Sequence, residues 1–272
     1  MLNTSNELIL RNVNKEIRKA REKSLISLFL IAVALIAFGT ITEFSYSKAI
    51  EGAPKSVIWM FKNLMPTADS FTYIGDILYQ LSLTILSAIA AATCAALIAY
   101  ILALFASDTM AYNGIVVNAI RIVASFFRNI PDVVWSMIFL FSFGQNIFTG
   151  FLAMFLATLG TLIRSFINVI DQSSGSSVEA LVAAGGNRVQ IVGQAIFPDS
   201  IAGTISWILY AIENNIRTAT LIGILTGSGI GYLFNVFYTG FRYDVCGLVV
   251  LVITAVILFI QWVSNVVRKS VL

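Results

Sequence analysis

Residues 77–106 read ILYQLSLTILSAIAAATCAALIAYILALFA, thirty in succession without a charge. A bilayer-crossing helix needs about 20 mainly apolar residues, so this stretch by itself specifies a membrane span. Ser87, Ala91, Ala95, Ala99 and Ala103 recur in it every four residues, and a stripe of such small side chains lets a second helix approach closely. The stripe is a packing feature, and the rest of the chain has to supply the partners.

Five more blocks qualify as spans. Ser24 to Thr42 follows a basic tail containing Arg11, Lys15, Arg18, Lys19, Arg21 and Lys23. Its apolar run is too long for a cleaved signal and reads as an uncleaved anchor. The others run from about Gly114 to Phe143, Ile147 to Ile170, Ile201 to Leu225 and Cys246 to Val267. Composition agrees: of 272 residues 58% are hydrophobic and 11% charged, against about half and a quarter in soluble domains. The expected class is an all-α integral membrane protein with about six transmembrane helices surrounded by lipid. There is no histidine, which removes the commonest metal ligand and the usual near-neutral proton carrier. Cys94 and Cys246 sit in apolar stretches and read as buried free thiols. A net charge of +3 is too small for a nucleic-acid surface.

With the tail inside, alternation puts residues 43–76 outside, and Ser107 to Asn113 and Gln172 to Ser200 inside. Nine basic residues then fall on inner segments and four on outer ones, Lys48, Lys55, Lys62 and Arg242, as the positive-inside asymmetry requires. Both termini are expected in the cytoplasm. The organisation is therefore a basic tail (1–23), an anchor (24–42), an extracytoplasmic loop (43–76) and a core (77–267) with an inner loop at 172–200. In the outer loop Val57, Ile58, Trp59, Met60, Phe61 and Leu64, beside Lys55 and Lys62, suit a short interfacial helix.

Two polar runs interrupt the spans. The first is Arg128, Asn129, Ile130, Pro131, Asp132, followed by Trp135; proline lacks a donor and disfavours helix before it, so the third block should break near Ile130. The second is Glu213, Asn214, Asn215, Ile216, Arg217, in which Glu213 and Arg217 are four apart and can pair on one helix face. Ionisable groups at bilayer depth are expensive. These runs therefore either line a path or sit paired and snorkelling within the bundle. Gly223, Gly227, Gly229 and Gly231 follow, but no G-x-x-x-x-G-K-[ST] string exists. The chain is expected to bind no ATP and no cofactor, and to be no enzyme.

In the inner loop Ser176 stands three residues before Glu179, the spacing of a capping box. A short helix should begin there with Val178, Leu181 and Val182 on one face and end at Gly185 and Gly186. A second should begin at Asn187, carry Arg188 and finish before Pro198. Two short amphipathic helices about a glycine hinge form a docking surface for a groove in another protein.

Glu179, Ala180, Gly185, Phe197 and Pro198 resemble the EAA motif, E-A-A-x3-G-x9-I-x-L-P, of permease subunits of binding-protein-dependent ABC importers. Leu181, Ala195 and Phe197 depart from it by apolar replacement. Arg128, Ile130, Pro131, Asp132 and Trp135 resemble the R-x-I-P-[DE]-x-x-W segment of the phosphonate-importer branch. Glu213, Asn215, Ile216, Arg217, Ala219 and Thr220 resemble its E-x-N-I-R-x-A-T stretch. Thr226, Gly227 and Ser228 depart from the Gly-Ala-Gly usual after it. The resemblance covers about Ile77 to Val267. It implies a type I importer permease bundle in a bacterial inner membrane, working as a homodimer. It also implies an ATP-binding subunit dimer that holds ATP and Mg, and an extracytoplasmic substrate-binding protein. The inner loop would couple to the ATPase through Glu179, Ala180, Gly185, Arg188, Phe197 and Pro198. The path or gate would be built from Arg128, Asn129, Pro131, Asp132, Trp135, Glu213, Asn215 and Arg217, and the solute would be a phosphonate or related phosphorus oxyanion. The rival is an ion-coupled transporter or channel for a small anion using Asp132 or Glu213. It leaves the docking loop unexplained and lacks an internal repeat.

Overall fold

A computed structural model describes residues 2–110 and 113–271, with side chains for 15–110 and 113–270. The side chain of Arg11, and Ala111 and Tyr112 of the connection expected at Ser107 to Asn113, lie outside the described residues. The chain divides at Lys62 into two units. The first holds α1 (Leu2–Ile41), which includes the expected anchor, and α2 (Tyr46–Asn63), the expected helix of the following loop. No residue of α2 is buried, and Val57, Ile58, Trp59, Met60 and Phe61 are all exposed. The Tyr46 hydroxyl donates to the Leu35 carbonyl, tying α2 back onto α1.

The second unit is a helical bundle. Its long members are α3 (Ile74–Ala106), the pair α4 (Gly114–Asn129) and α5 (Asp132–Phe143), α6 (Ile147–Ser173), α9 (Phe197–Thr226) and α11 (Tyr243–Val271), with α7 (Gly175–Ala183), α8 (Arg188–Ile191) and α10 (Gly229–Thr239) short. Among the described residues five helical stretches, α1 included, are long and apolar enough to cross a membrane, and six if the bent α4–α5 pair is one crossing.

α6 is the centre, packed on α3, α4, α5 and α9. Ala91, Ala95, Ala99 and Ala103 are all 0% exposed, so the small stripe of α3 is its contact face. Leu162, Ile163 and Phe166 of α6 are equally buried in the same core. Lipid is as apolar as leucine, so this close approach rests on dispersion and interhelical hydrogen bonds rather than on expulsion of water. Those bonds recur along the bundle. Tyr100 and Ser200 hydroxyls meet at 3.1 Å, Thr158 donates to Asn215 Oδ1 at 2.8 Å, and the Ile230 amide donates to Thr84 Oγ1 at 2.9 Å. At one end of the bundle Thr67 donates to Asp244, which also holds Arg242 over the Tyr73 ring. At the other, Ser107 and Thr109 donate to Asp171.

The third block breaks where proline predicts: Ile130 is extended, and α4 and α5 are bent by 88°. Trp135 Nε1 donates to the Phe127 carbonyl at 3.4 Å, which serves one of the acceptors orphaned at the end of α4.

Four expectations are corrected. Ser176 caps nothing: α7 already begins at Gly175 behind Ser174, because α6 runs to Ser173 and no extended residue remains to cap from. The loop's capping box is instead Asn187 with Gln190. Val182 parts from Val178, being 56% exposed against 6%. Pro198 ends no helix; it lies in the first turn of α9, preceded by a π turn at Val192–Ile196. Proline belongs in a first turn, and the widened π turn leaves room for its ring where an α turn would set it against the carbonyl four residues back. Finally, of the two cysteines read as buried, Cys94 is exposed and Cys246 is buried. Gly227 closes α9 at φ 63°, and α10 starts two residues later.

Candidate functional site

Two features of the bundle carry chemistry, an elbow at one end and a polar groove in the body. The elbow is α7, Gly185 and α8. Gly185 stands at φ +80° with nothing within 4 Å of a Cβ placed there, a conformation glycine adopts freely and β-carbon residues resist. Beyond it the Asn187 side chain accepts from the Gln190 amide at 2.9 Å and Gln190 Oε1 accepts from the Asn187 amide at 2.8 Å, fixing where α8 starts. Val178 and Ile191 anchor the elbow in the core. Glu179, Ala180, Val182, Arg188 and Val189 are exposed. Phe197 is half exposed, with its ring edge-on to Tyr100, and Pro198 is exposed beside it. All six expected coupling residues thus lie on one elbow and its exit. Val189, 83% exposed, belongs with them; an apolar residue between Arg188 and the capping Gln190 was the sign of it.

The groove collects the polar runs. A cavity of about 50 Å³ is lined by Asp132, Thr158, Thr161, Tyr210, Asn214 and Asn215. On α9 the exposed or half-exposed residues Trp207, Tyr210, Asn214 and Arg217 fall at helical spacing, so they share one open face. Glu213 and Arg217 pair at 2.9 Å as expected, and Gln261 of α11 donates to the same Glu213 oxygen at 2.8 Å. Arg128, Asn129 and Pro131 are exposed at the α4–α5 corner. Asn215 is 1% exposed and Trp135 8%: Asn215 ties α9 to α6 and holds the cavity wall, and Trp135 stacks on Phe139 and packs the corner. Reading the sequence by its two long polar runs missed Arg164 of α6, which is exposed. An isolated arginine six residues before the end of the apolar block that closes at Ile170 was the available signal.

Glu213 keeps Gln261 if Arg217 is removed, whereas removing Glu213 strips both donors. Glu213→Leu is therefore expected to lower thermal stability more than Arg217→Leu, and the double variant to recover part of the loss. Melting of the four proteins in detergent measures this. A coupling below about 0.5 kcal/mol, the value of an exposed i, i+4 pair, would mean the two groups act separately.

Residues 95–271 match the family of binding-protein-dependent transport system inner membrane components. The chain is 26% identical over 230 residues to the phosphate-import permease protein PhnE of Mycolicibacterium smegmatis, covering 85% of this chain and 43% of that protein. It is 26% identical over 186 residues to the phosphite transport system permease protein PtxC of Stutzerimonas stutzeri, 68% of each chain. The fold matches a chain of the inward-facing methionine ABC transporter MetNI with a TM-score of 0.66 at 13% identity, covering 76% of this chain and 99% of that one. The bundle thus has the type I ABC importer permease fold.

Proposed function

The chain belongs to the family of binding-protein-dependent transport system inner membrane components, and from that premise we propose that it is the permease subunit of an ATP-driven importer of phosphorus oxyanions. The observation that carries this reading is the exposed elbow at Gly185, held in one geometry by the Asn187–Gln190 box and backed by the core through Val178 and Ile191. A rigid, exposed pair of short helices is what a moving partner needs as a handle. An ATP-binding subunit dimer, carrying ATP and Mg, closes on hydrolysable nucleotide and pushes α7 and α8. The continuous helix from Arg188 to Thr226 carries that displacement from the elbow to Glu213 and Arg217. Two states of the bundle that differ in their contacts with the partner are all that coupling requires. Chemistry stays on the ATPase.

The permease works as a homodimer, because a groove with charged walls open on one side must face a second copy or water rather than lipid. An extracytoplasmic binding protein delivers the solute. Phosphate and phosphite are named for two relatives, and the groove's arginines suit such anions. Reconstitution with the cognate ATPase and binding protein, followed by ATP-dependent uptake of phosphite, phosphate and methylphosphonate, tests the reading. Uptake that proceeds without the ATPase down an ion gradient overturns it.

Topology follows from the same reading. In a background of Cys94→Ala and Cys246→Ala, Ala68→Cys is expected to react with an impermeant thiol reagent from outside and Ala183→Cys only from inside. Both positions are exposed and lie beyond opposite ends of the bundle. Labelling of Ala183→Cys in intact cells would invert the orientation and remove the elbow from the ATPase.

A further inference from the structure

The fold leaves one arginine unexplained. Thr161, Arg164, Asn168 and Asp171 follow at intervals of three and four residues and so form one face of α6. That face is open: Arg164 and Asn168 are exposed and Thr161 and Asp171 half-buried, while Leu162, Ile163, Phe166 and Ile170 are fully buried. At one end of the stripe Thr161 lines the cavity with Asp132, Tyr210 and Asn214. At the other Asp171 meets Ser107, at the bundle end that carries the elbow. The stripe therefore runs from the groove toward the elbow.

Arg164 makes no ion pair or hydrogen bond among the described residues. It lies about two helical turns deeper than Asp171, where a lone charge facing hydrocarbon is strongly unfavourable. The other two arginines of the groove have structural reasons to be there. Arg217 is paired with Glu213, and Arg128 sits in the last turn of α4, where the helix dipole favours a cation. Arg164, inside α6, has neither reason.

We propose that the Thr161–Arg164–Asn168 face is the exit half of the translocation path, and that Arg164 contacts the phosphorus oxyanion as it leaves the groove. The inference rests on the importer reading above. A guanidinium offers two parallel donors to two oxygens of a phosphate-like group, and Asn168 adds a neutral donor one turn along the face, while the Thr161 hydroxyl donates to the Ala157 carbonyl. A path needs binding strong enough to admit the ion and weak enough to release it.

The test compares wild type, Arg164→Gln and Arg164→Lys, each reconstituted with ATPase and binding protein. Uptake of phosphite and of methylphosphonate is measured together with ATP hydrolysis and dimer content. Arg164→Gln is expected to stay dimeric and hydrolyse ATP while uptake falls about tenfold, the loss of one charge-assisted hydrogen bond. Arg164→Lys is expected to keep most of the uptake. Wild-type uptake in Arg164→Gln overturns the inference, and so does dissociation of its dimer, which would make Arg164 an interface residue. If the wild-type protein imports neither anion under ATP, the importer reading for this solute class fails, and the inference falls with it.

Discussion

Gly185→Pro is expected to abolish ATP-driven uptake while leaving the permease inserted and dimeric. Gly185 is held at φ +80°, and proline is locked near −65°, so the elbow cannot form with proline at this position. The damage is confined to the backbone, since a Cβ at Gly185 meets nothing within 4 Å and no core residue has to move. α7 and α8 then leave at a different angle, and the exposed row of Glu179, Val182, Arg188 and Val189 no longer presents one surface. Copurification of the ATPase and substrate-stimulated ATP hydrolysis should fall together with uptake. Gly185→Asn separates conformation from side-chain absence, because asparagine tolerates the left-handed region, and it should retain most of the activity. Glu179→Arg, an exposed reversal of charge on the same surface, should weaken copurification without altering the fold. Full uptake with proline at 185 would mean that the elbow is not the coupling element.

The spans were legible because each is set by a local property. Thirty uncharged residues must cross, Pro131 must break its block, and alanines every fourth residue must face a partner. The motif residues of the elbow were legible for the same reason, with a glycine at the one position whose φ is positive. What was not legible depends on where chains meet. Ser176 and Asn187 offer equivalent capping patterns, but α6 feeds straight into Ser174 and α7, so only Asn187 itself stands in the extended conformation a cap needs. Pro198 reads as a terminator until a π turn takes up its ring. α10 follows the αL residue Gly227, and its amide at Ile230 is received by Thr84, 146 residues away. Asn215 and Arg217 look alike as polar residues in an apolar span, yet one is buried as a clasp to Thr158 and the other stands on the open face. Only the neighbouring helix distinguishes them.

Gly160→Ala is expected to destabilise the permease and, with it, to displace the Arg128–Asp132 corner. A Cβ at Gly160 would lie 2.7 Å from the Ala124 carbonyl and 2.7 Å from the Arg128 amide. Both obstacles are backbone, so no rotamer change relieves them, and α4 must move off α6 as a body. Inserting atoms into a packed site costs about 1–3 kcal/mol, against a gain of about 1 kcal/mol from replacing glycine with alanine in a helix. The balance is a net loss wherever the overlap exceeds the propensity gain. Gly75→Ala is the control: it lies within the first turn of α3, and a Cβ there meets nothing within 4 Å, so that variant should melt at or above the wild-type temperature. Thermal melting in detergent ranks the two. Uptake supplies a second reading, since the corner that α4 carries includes Arg128 and Asn129 at the rim of the groove and leads directly into Asp132 of the cavity wall. Gly160→Ala should therefore lose uptake even at temperatures where it is still folded. Equal melting and equal uptake for the two variants would show that α4 and α6 do not meet at Gly160, and the corner would then need another support.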